Sequence, residues 1–137
     1  MARSAHPLNK ADMKILVVDD EHDVEPLFRM RFRREIRNGD IELIFAFSGE
    51  EALTQLSEHG KADVVLVLSD INMPGMTGLE LLKKIKADPP PVPVCMMTAY
   101  DNDEYRGKAE DLECDGYVSK PIDFAALKEK ISAFKTN

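Results

Sequence analysis

Short apolar runs rich in Val, Ile and Leu recur along the chain at Lys14–Val18, Ile41–Phe47, Val64–Leu68, Val94–Met97 and Gly116–Val118. Several are continuous rather than alternating, the pattern of strands buried on both faces of a parallel sheet. Between them, apolar residues fall at helical spacing. Val24, Phe28, Phe32 and Ile36 recur every four residues, with Leu27 widening the stripe, and predict a first helix. Ser48-Gly49-Glu50-Glu51 reads as a capping box opening a second, each end residue satisfying an orphan backbone N–H of the other. Leu79, Leu82 and Ile85 mark a third. Asn102–Leu112 is polar and gives the weakest pattern, for a fourth. Asp123 caps a last helix carrying Leu127, Ile131 and Phe134. Five strand-then-helix units in a row imply an α/β fold, a doubly wound parallel sheet with helices on both faces.

In such folds ligands bind in the loops at the carboxyl ends of the strands, where strand order reverses. At the end of the first strand stand Asp19 and Asp20, followed by Glu21; at the third, Asp70; at the fourth, Thr98; at the fifth, Lys120. Three carboxylates held together resist full ionisation unless a cation sits among them. Oxygen donors with no nearby Cys or His favour Mg²⁺ or a similar divalent ion. A carboxylate beside such a metal can attack phosphorus and become an acyl phosphate. Lys120 and Thr98 supply the charge and the hydroxyl donor that stabilise a transferring phosphoryl group. Taken singly, an Asp-Asp pair after a strand is an ordinary helix cap and a Lys-Pro an ordinary loop. Their joint placement at four strand ends carries the reading.

The chain's 137 residues are one domain's worth, enough to bury a core without a disulfide or metal staple. Residues 1–12 contain no apolar signal-peptide core and read as a disordered lead-in to a domain over 13–137. Lys and Arg number 18 against 25 Asp and Glu, a net charge of −7 that argues against nucleic-acid binding through bulk electrostatics. Val64–Leu68, a purely apolar run as long as any in the chain, is far short of the roughly 20 residues of a bilayer span. Cys95 and Cys114 lack CxxC spacing and read as small buried residues of a reduced compartment, the cytoplasm. His6, His22 and His59 are scattered and form no cluster; His22 reads as a solvated helix-start residue. Five of the seven arginines crowd the first helix, and Arg29, Arg33 and Arg37 share one face at four-residue spacing. That face is either a solvated surface or a docking surface for a partner helix, steered by charge. Asp88-Pro89-Pro90-Pro91-Val92-Pro93 reads as a stiff connector.

Four stretches now carry a resemblance: Ile15-Leu16-Val17-Val18-Asp19-Asp20-Glu21, Leu68-Ser69-Asp70-Ile71-Asn72-Met73-Pro74-Gly75-Met76-Thr77-Gly78, Met97-Thr98-Ala99 and Gly116-Tyr117-Val118-Ser119-Lys120-Pro121. In this order they resemble the receiver domain of bacterial two-component response regulators, over residues 14 to about 134. The resemblance implies a flavodoxin-like (βα)5 sheet of strand order 2-1-3-4-5. It implies that Asp70 is phosphorylated by a phosphohistidine on a histidine kinase or histidine phosphotransfer protein, for which the face of Arg29, Arg33 and Arg37 would be the docking surface. Asp20 and Asp70 would hold Mg²⁺ (Mn²⁺ as an alternative) with the Asn72 main-chain carbonyl, Asp19 acting through water. Thr98 and Lys120 would grip the phosphoryl group, with Lys120–Pro121 cis. Tyr117 matches the aromatic that follows Thr98, switching the face of the fourth helix, fifth strand and last helix for partner binding. Asn72 and Tyr100 stand at positions that tune dephosphorylation, and bulky Tyr100 would prolong the signal. Glu113 and Cys114 replace the Gly-Ala common after the fourth helix, a departure on the output face.

The implied protein is not an enzyme with a separate substrate but a phosphoacceptor that assists its own phosphorylation and dephosphorylation. It would act on an unknown downstream protein or a fused output domain, as a monomer or a phosphorylation-dependent homodimer. The rivals are a degenerate receiver serving only as an interaction module, and a Mg²⁺-dependent phosphatase with an aspartyl nucleophile. Against the latter, Asn72 has no proton to donate where such enzymes commonly carry an acid.

Overall fold

The computed structural model describes residues 13–60, 63–64, 66–88, 92–99 and 114–135. The lead-in at 1–12, the helix expected at 102–112, Tyr100, Glu113 and prolines 89–91 lie outside the described residues. Five strands form one sheet: β1 (Met13–Val18), β2 (Ile41–Ala46), β3 (Leu66–Asp70), β4 (Val94–Thr98) and β5 (Gly116–Ser119). All pairings are parallel and the order is β2-β1-β3-β4-β5, the doubly wound arrangement expected. The described helices are α1 (Val24–Arg31), α2 (Arg33–Arg37), α3 (Gly49–His59), α4 (Gly78–Ala87) and α5 (Phe124–Lys135).

Continuous apolar runs are needed because both faces of the sheet are covered. Leu16, Val18, Ile44, Val67, Val94 and Met96 point to one layer with Leu56, Leu81, Leu82 and Ile85 from α3 and α4. Their neighbours Ile15, Val17, Phe45, Leu68, Cys95 and Met97 point to the other, with Phe28, Phe32, Leu127 and Ile131. Alternate residues of one strand thus serve opposite cores. Of the two cysteines expected to be buried, Cys95 is, and burial pushes its thiol up to about 12, consistent with an inert core residue, whereas Cys114 is only half-buried against the α3–α4 layer.

Four local expectations change. The single first helix divides into α1 and α2 at Phe32, whose backbone (φ −105°, ψ 16°) leaves helical geometry while its ring seats between Phe28 and Phe124. Leu27 does not widen the buried stripe; it is 39% exposed. The third strand begins at Leu66 rather than Val64 and runs through Asp70. At α3, Ser48 Oγ accepts from Glu51 N–H (3.0 Å), but Glu51 Oε1 reaches back to Phe47 N–H (2.7 Å) rather than to Ser48. A full reciprocal capping box stands instead at α4, between Thr77 and Glu80. Asp123 does cap α5, accepting from Ala126 N–H at 3.1 Å.

Candidate functional site

Asp19 follows β1 directly. Its N–H donates to Ala46 C=O (3.1 Å), the last rung joining the β1 and β2 chains, and its residue is fully buried. Asp19 Oδ1 accepts from Glu21 N–H (3.0 Å) and Oδ2 from Lys120 Nζ (2.7 Å). Asp70 ends β3 and its Oδ2 also accepts from Lys120 Nζ, at 3.2 Å. The Asn72 backbone N–H favours the charged form of the Asp70 carboxylate. Asp20 is the most open of the three acids, yet each of them offers an oxygen within 4.8 Å of the others. Lys120 is delivered by β5: its N–H donates to Thr98 C=O (2.8 Å), and the peptide to Pro121 is cis, as the resemblance implied.

Thr98 ends β4, fully buried, in register with Ser119 of β5. Tyr117 lies opposite Met96 and packs, half-buried, against the α3–α4 core layer. Gly78 opens α4 hard against this strand end. Its N–H donates to Ile71 C=O (2.8 Å), and a Cβ there would fall on the Asp70 carbonyl oxygen and within 2.8 Å of Ile71 Cα.

Burial, chiefly, and then the Asp19 charge raise the Asp70 carboxyl above its usual range, although Lys120 pulls the other way. Burial alone would lower the Lys120 ammonium, but the hydrogen bond and charge of Asp19 and the charge of Asp70 outweigh it and raise its pKa. One ammonium against three carboxylates leaves surplus negative charge in an all-oxygen donor set. That chemistry fits a hard divalent cation.

The arginine face resolves into separate jobs. Arg29 pairs with Glu25 (3.1 Å) and lies over the Phe45 ring (5.0 Å). Arg33 and Arg37 belong to α2, past the break at Phe32. Arg31, not singled out by its spacing, lies over Phe124 (5.4 Å) beside a groove of about 330 Å³. Val24, Leu27, Arg31, Pro121, Ile122 and Phe124 line this groove together with the acids Asp19, Glu21 and Asp23 and with Lys120. The stranded apolar Leu27 follows from this placement. His22, expected as a merely solvated residue, is exposed but stacked on Phe47, rings 4.0 Å apart and 8° from parallel. No local pattern could have shown that contact, because it depends on which strands are neighbours.

The model of the response regulator receiver domain family matches residues 15–132. Chemotaxis protein CheY-3 of Vibrio cholerae serotype O1 is 37% identical over 126 residues, which span 90% of this chain and 92% of that protein. Among solved structures, a response regulator receiver domain protein from Clostridium thermocellum gives a TM-score of 0.80 at 24% identity, covering 90% of this chain and 94% of that one. A chain from the co-crystal of the Saccharomyces cerevisiae histidine phosphotransfer protein Ypd1 with the receiver domain of Ssk1 gives 0.78 at 22%, covering 93% and 92%. At these identities the two structures speak to the fold.

Proposed function

The chain belongs to the response regulator receiver domain family, and on that premise we propose that Asp70 accepts a phosphoryl group from a phosphohistidine and so acts as a signalling switch. The observation that carries the reading is the cluster itself: Asp70 at the end of β3, bridged by Lys120 to Asp19, with Asp20 in reach. The receiver domain occupies 13–137 behind the short lead-in, and works in the cytoplasm.

Asp20 and Asp70, with the Asn72 carbonyl and Asp19 behind them, are the residues that would hold Mg²⁺ or Mn²⁺. The bound ion supplies positive charge against the phosphoryl oxygens. In the transfer, a lone pair of an Asp70 carboxylate oxygen forms the O–P bond as the P–N bond of the donor breaks. The bonding pair returns to an imidazole that leaves neutral if its other nitrogen carries a proton. Lys120 turns its ammonium from the two carboxylates to the new phosphoryl oxygens, and the Thr98 hydroxyl donates to another. The added charge of about −1.5 to −2 draws Thr98 inward, and Tyr117 follows it. Asn72 and Tyr100 govern the access of water to the acyl phosphate.

The partner is a histidine kinase or a histidine phosphotransfer protein, the second being the kind of protein seen beside a receiver domain in the yeast co-crystal. We place its docking on the groove of Leu27, Arg31, Ile122 and Phe124, which leads to Asp19 and Lys120, in preference to the face of Arg29, Arg33 and Arg37. Intact mass after incubation with a small acyl-phosphate donor tests the chemistry. One added phosphoryl group that requires both Mg²⁺ and Asp70 supports it, and an adduct that persists in Asp70→Asn overturns it.

A further inference from the structure

We propose that the stack of His22 on Phe47 positions Asp20 and thereby sets how tightly the carboxylate cluster holds a divalent cation, a reading that rests on the function proposed above. The rung from Asp19 N–H to Ala46 C=O is the last one between the β1 and β2 chains. Beyond it one chain turns through Asp20 into α1, and the other through Phe47 into α3. His22 and Phe47 close the gap by stacking, with centroids 4.0 Å apart.

Phe47 is a fixed post. Its N–H is held by Glu51 of the first turn of α3 (2.7 Å), Ser48 caps the same turn, and its ring packs against the core layer of Phe28 and Phe45. On the other side, the turn carrying His22 is tied down by three bonds. Glu21 N–H donates to Asp19 Oδ1 (3.0 Å), Val24 N–H to Glu21 C=O (3.1 Å) and Glu25 N–H to His22 C=O (3.2 Å). Asp20 is the one residue of the cluster that burial does not fix, and it lies between the buried Asp19 and the stacked His22. An aromatic stack is strong enough to choose one loop conformation over its alternatives. Residues behind metal ligands commonly tune affinity in this way. His22 is therefore a positioning residue, not a ligand: it is not among the groups whose donor atoms meet in the cluster.

The test is a Mg²⁺ titration followed by backbone amide shifts, with thermal melting of the metal-free proteins alongside. Wild type is compared with His22→Ala, which removes the stack, and His22→Phe, which keeps an aromatic ring there. The expected result is a Kd weakened about three- to tenfold in His22→Ala and brought back to within about twofold of wild type in His22→Phe. Metal-free melting is unchanged in both. Equal affinity in wild type and His22→Ala overturns the positioning role and leaves the proposed function standing. A lowered metal-free melting temperature in His22→Ala assigns the stack to general stability and also overturns it, as does failure of His22→Phe to restore binding. If wild type itself binds no Mg²⁺, the proposed function falls, and this inference with it.

Discussion

Lys120 is a single cation shared by two carboxylates that water scarcely reaches, with side-chain exposures of 18% for the lysine, 1% for Asp19 and 10% for Asp70. Removing it leaves buried negative charge without a partner, which is costlier than losing a surface pair. Lys120→Met should therefore destabilise the metal-free protein by about 3 kcal/mol in urea unfolding at neutral pH. That loss should shrink in acid, where Asp70 takes up a proton. Asp70 by itself gives the opposite sign. Because burial, and then Asp19, raise its pKa in the fold, the native state binds more protons than the unfolded chain between the ordinary and the raised values. Stability is lost as pH climbs through that window and stays lost above it. Asp70→Asn, which cannot ionise, should melt several degrees higher than wild type at neutral pH without metal. The gap should close below Asp70's ordinary value of 3.8. A constant gap across the titration would mean that packing, not charge, separates the two. A site that is costly in its empty, ionised form is one that gains by taking up a cation.

The elements that present these residues are held by their ends. Gly78 is the tightest case: its position has backbone where a side chain would go, and that backbone belongs to Asp70 and Ile71. Gly78→Ala should cost about 1–3 kcal/mol and shift the Asp70 amide resonance, since relief requires moving either α4 or the end of β3. Thr77→Ala, which removes one arm of the cap a residue earlier, should cost about 1 kcal/mol and leave the Asp70 resonance in place. The contrast separates an element's own stability from its grip on the site. It also marks what the sequence could disclose. The strands were legible because continuous runs such as Ile15–Val18 and Val94–Met97 must satisfy two cores at once, and the acids, Thr98 and Lys120 were legible because they follow those runs. The break at Phe32 was not, because four-residue spacing continues straight through it and the ring's seat is set by Phe28 and by Phe124 far along the chain. Glu51 was recognised as a capping residue but its acceptor role fell on Phe47 N–H, one residue early, a choice of loop path that spacing does not encode. The Thr77–Glu80 box carried its signature openly, inside a stretch read for its chemistry instead of its caps.

Across the molecule, charge is distributed against its own total. A chain of net charge −7 keeps five of its seven arginines on α1 and α2. Asp19 and Lys120 line the groove beside α1 together with Glu21 and Asp23, and Arg31 stands over Phe124 along its wall. A donor approaching Asp70 along that groove would meet apolar surface at Leu27, Ile122 and Phe124, with a cation at its edge. Charges at the edge of an interface act mainly on encounter, whereas the apolar centre holds the complex. Arg31→Glu should therefore slow phosphoryl transfer from a cognate phosphohistidine protein by roughly tenfold at low salt, with the deficit narrowing as salt is added. Arg33→Glu and Arg37→Glu, which do not line the groove, should slow it less. Transfer from a small acyl phosphate needs no docking surface, so its rate should be the same in all three variants and in wild type. Stopped-flow measurement with both donors separates the possibilities. Equal losses at Arg31, Arg33 and Arg37 would return docking to the broad arginine face, and a loss that extends to the small donor would place Arg31 in the chemistry itself.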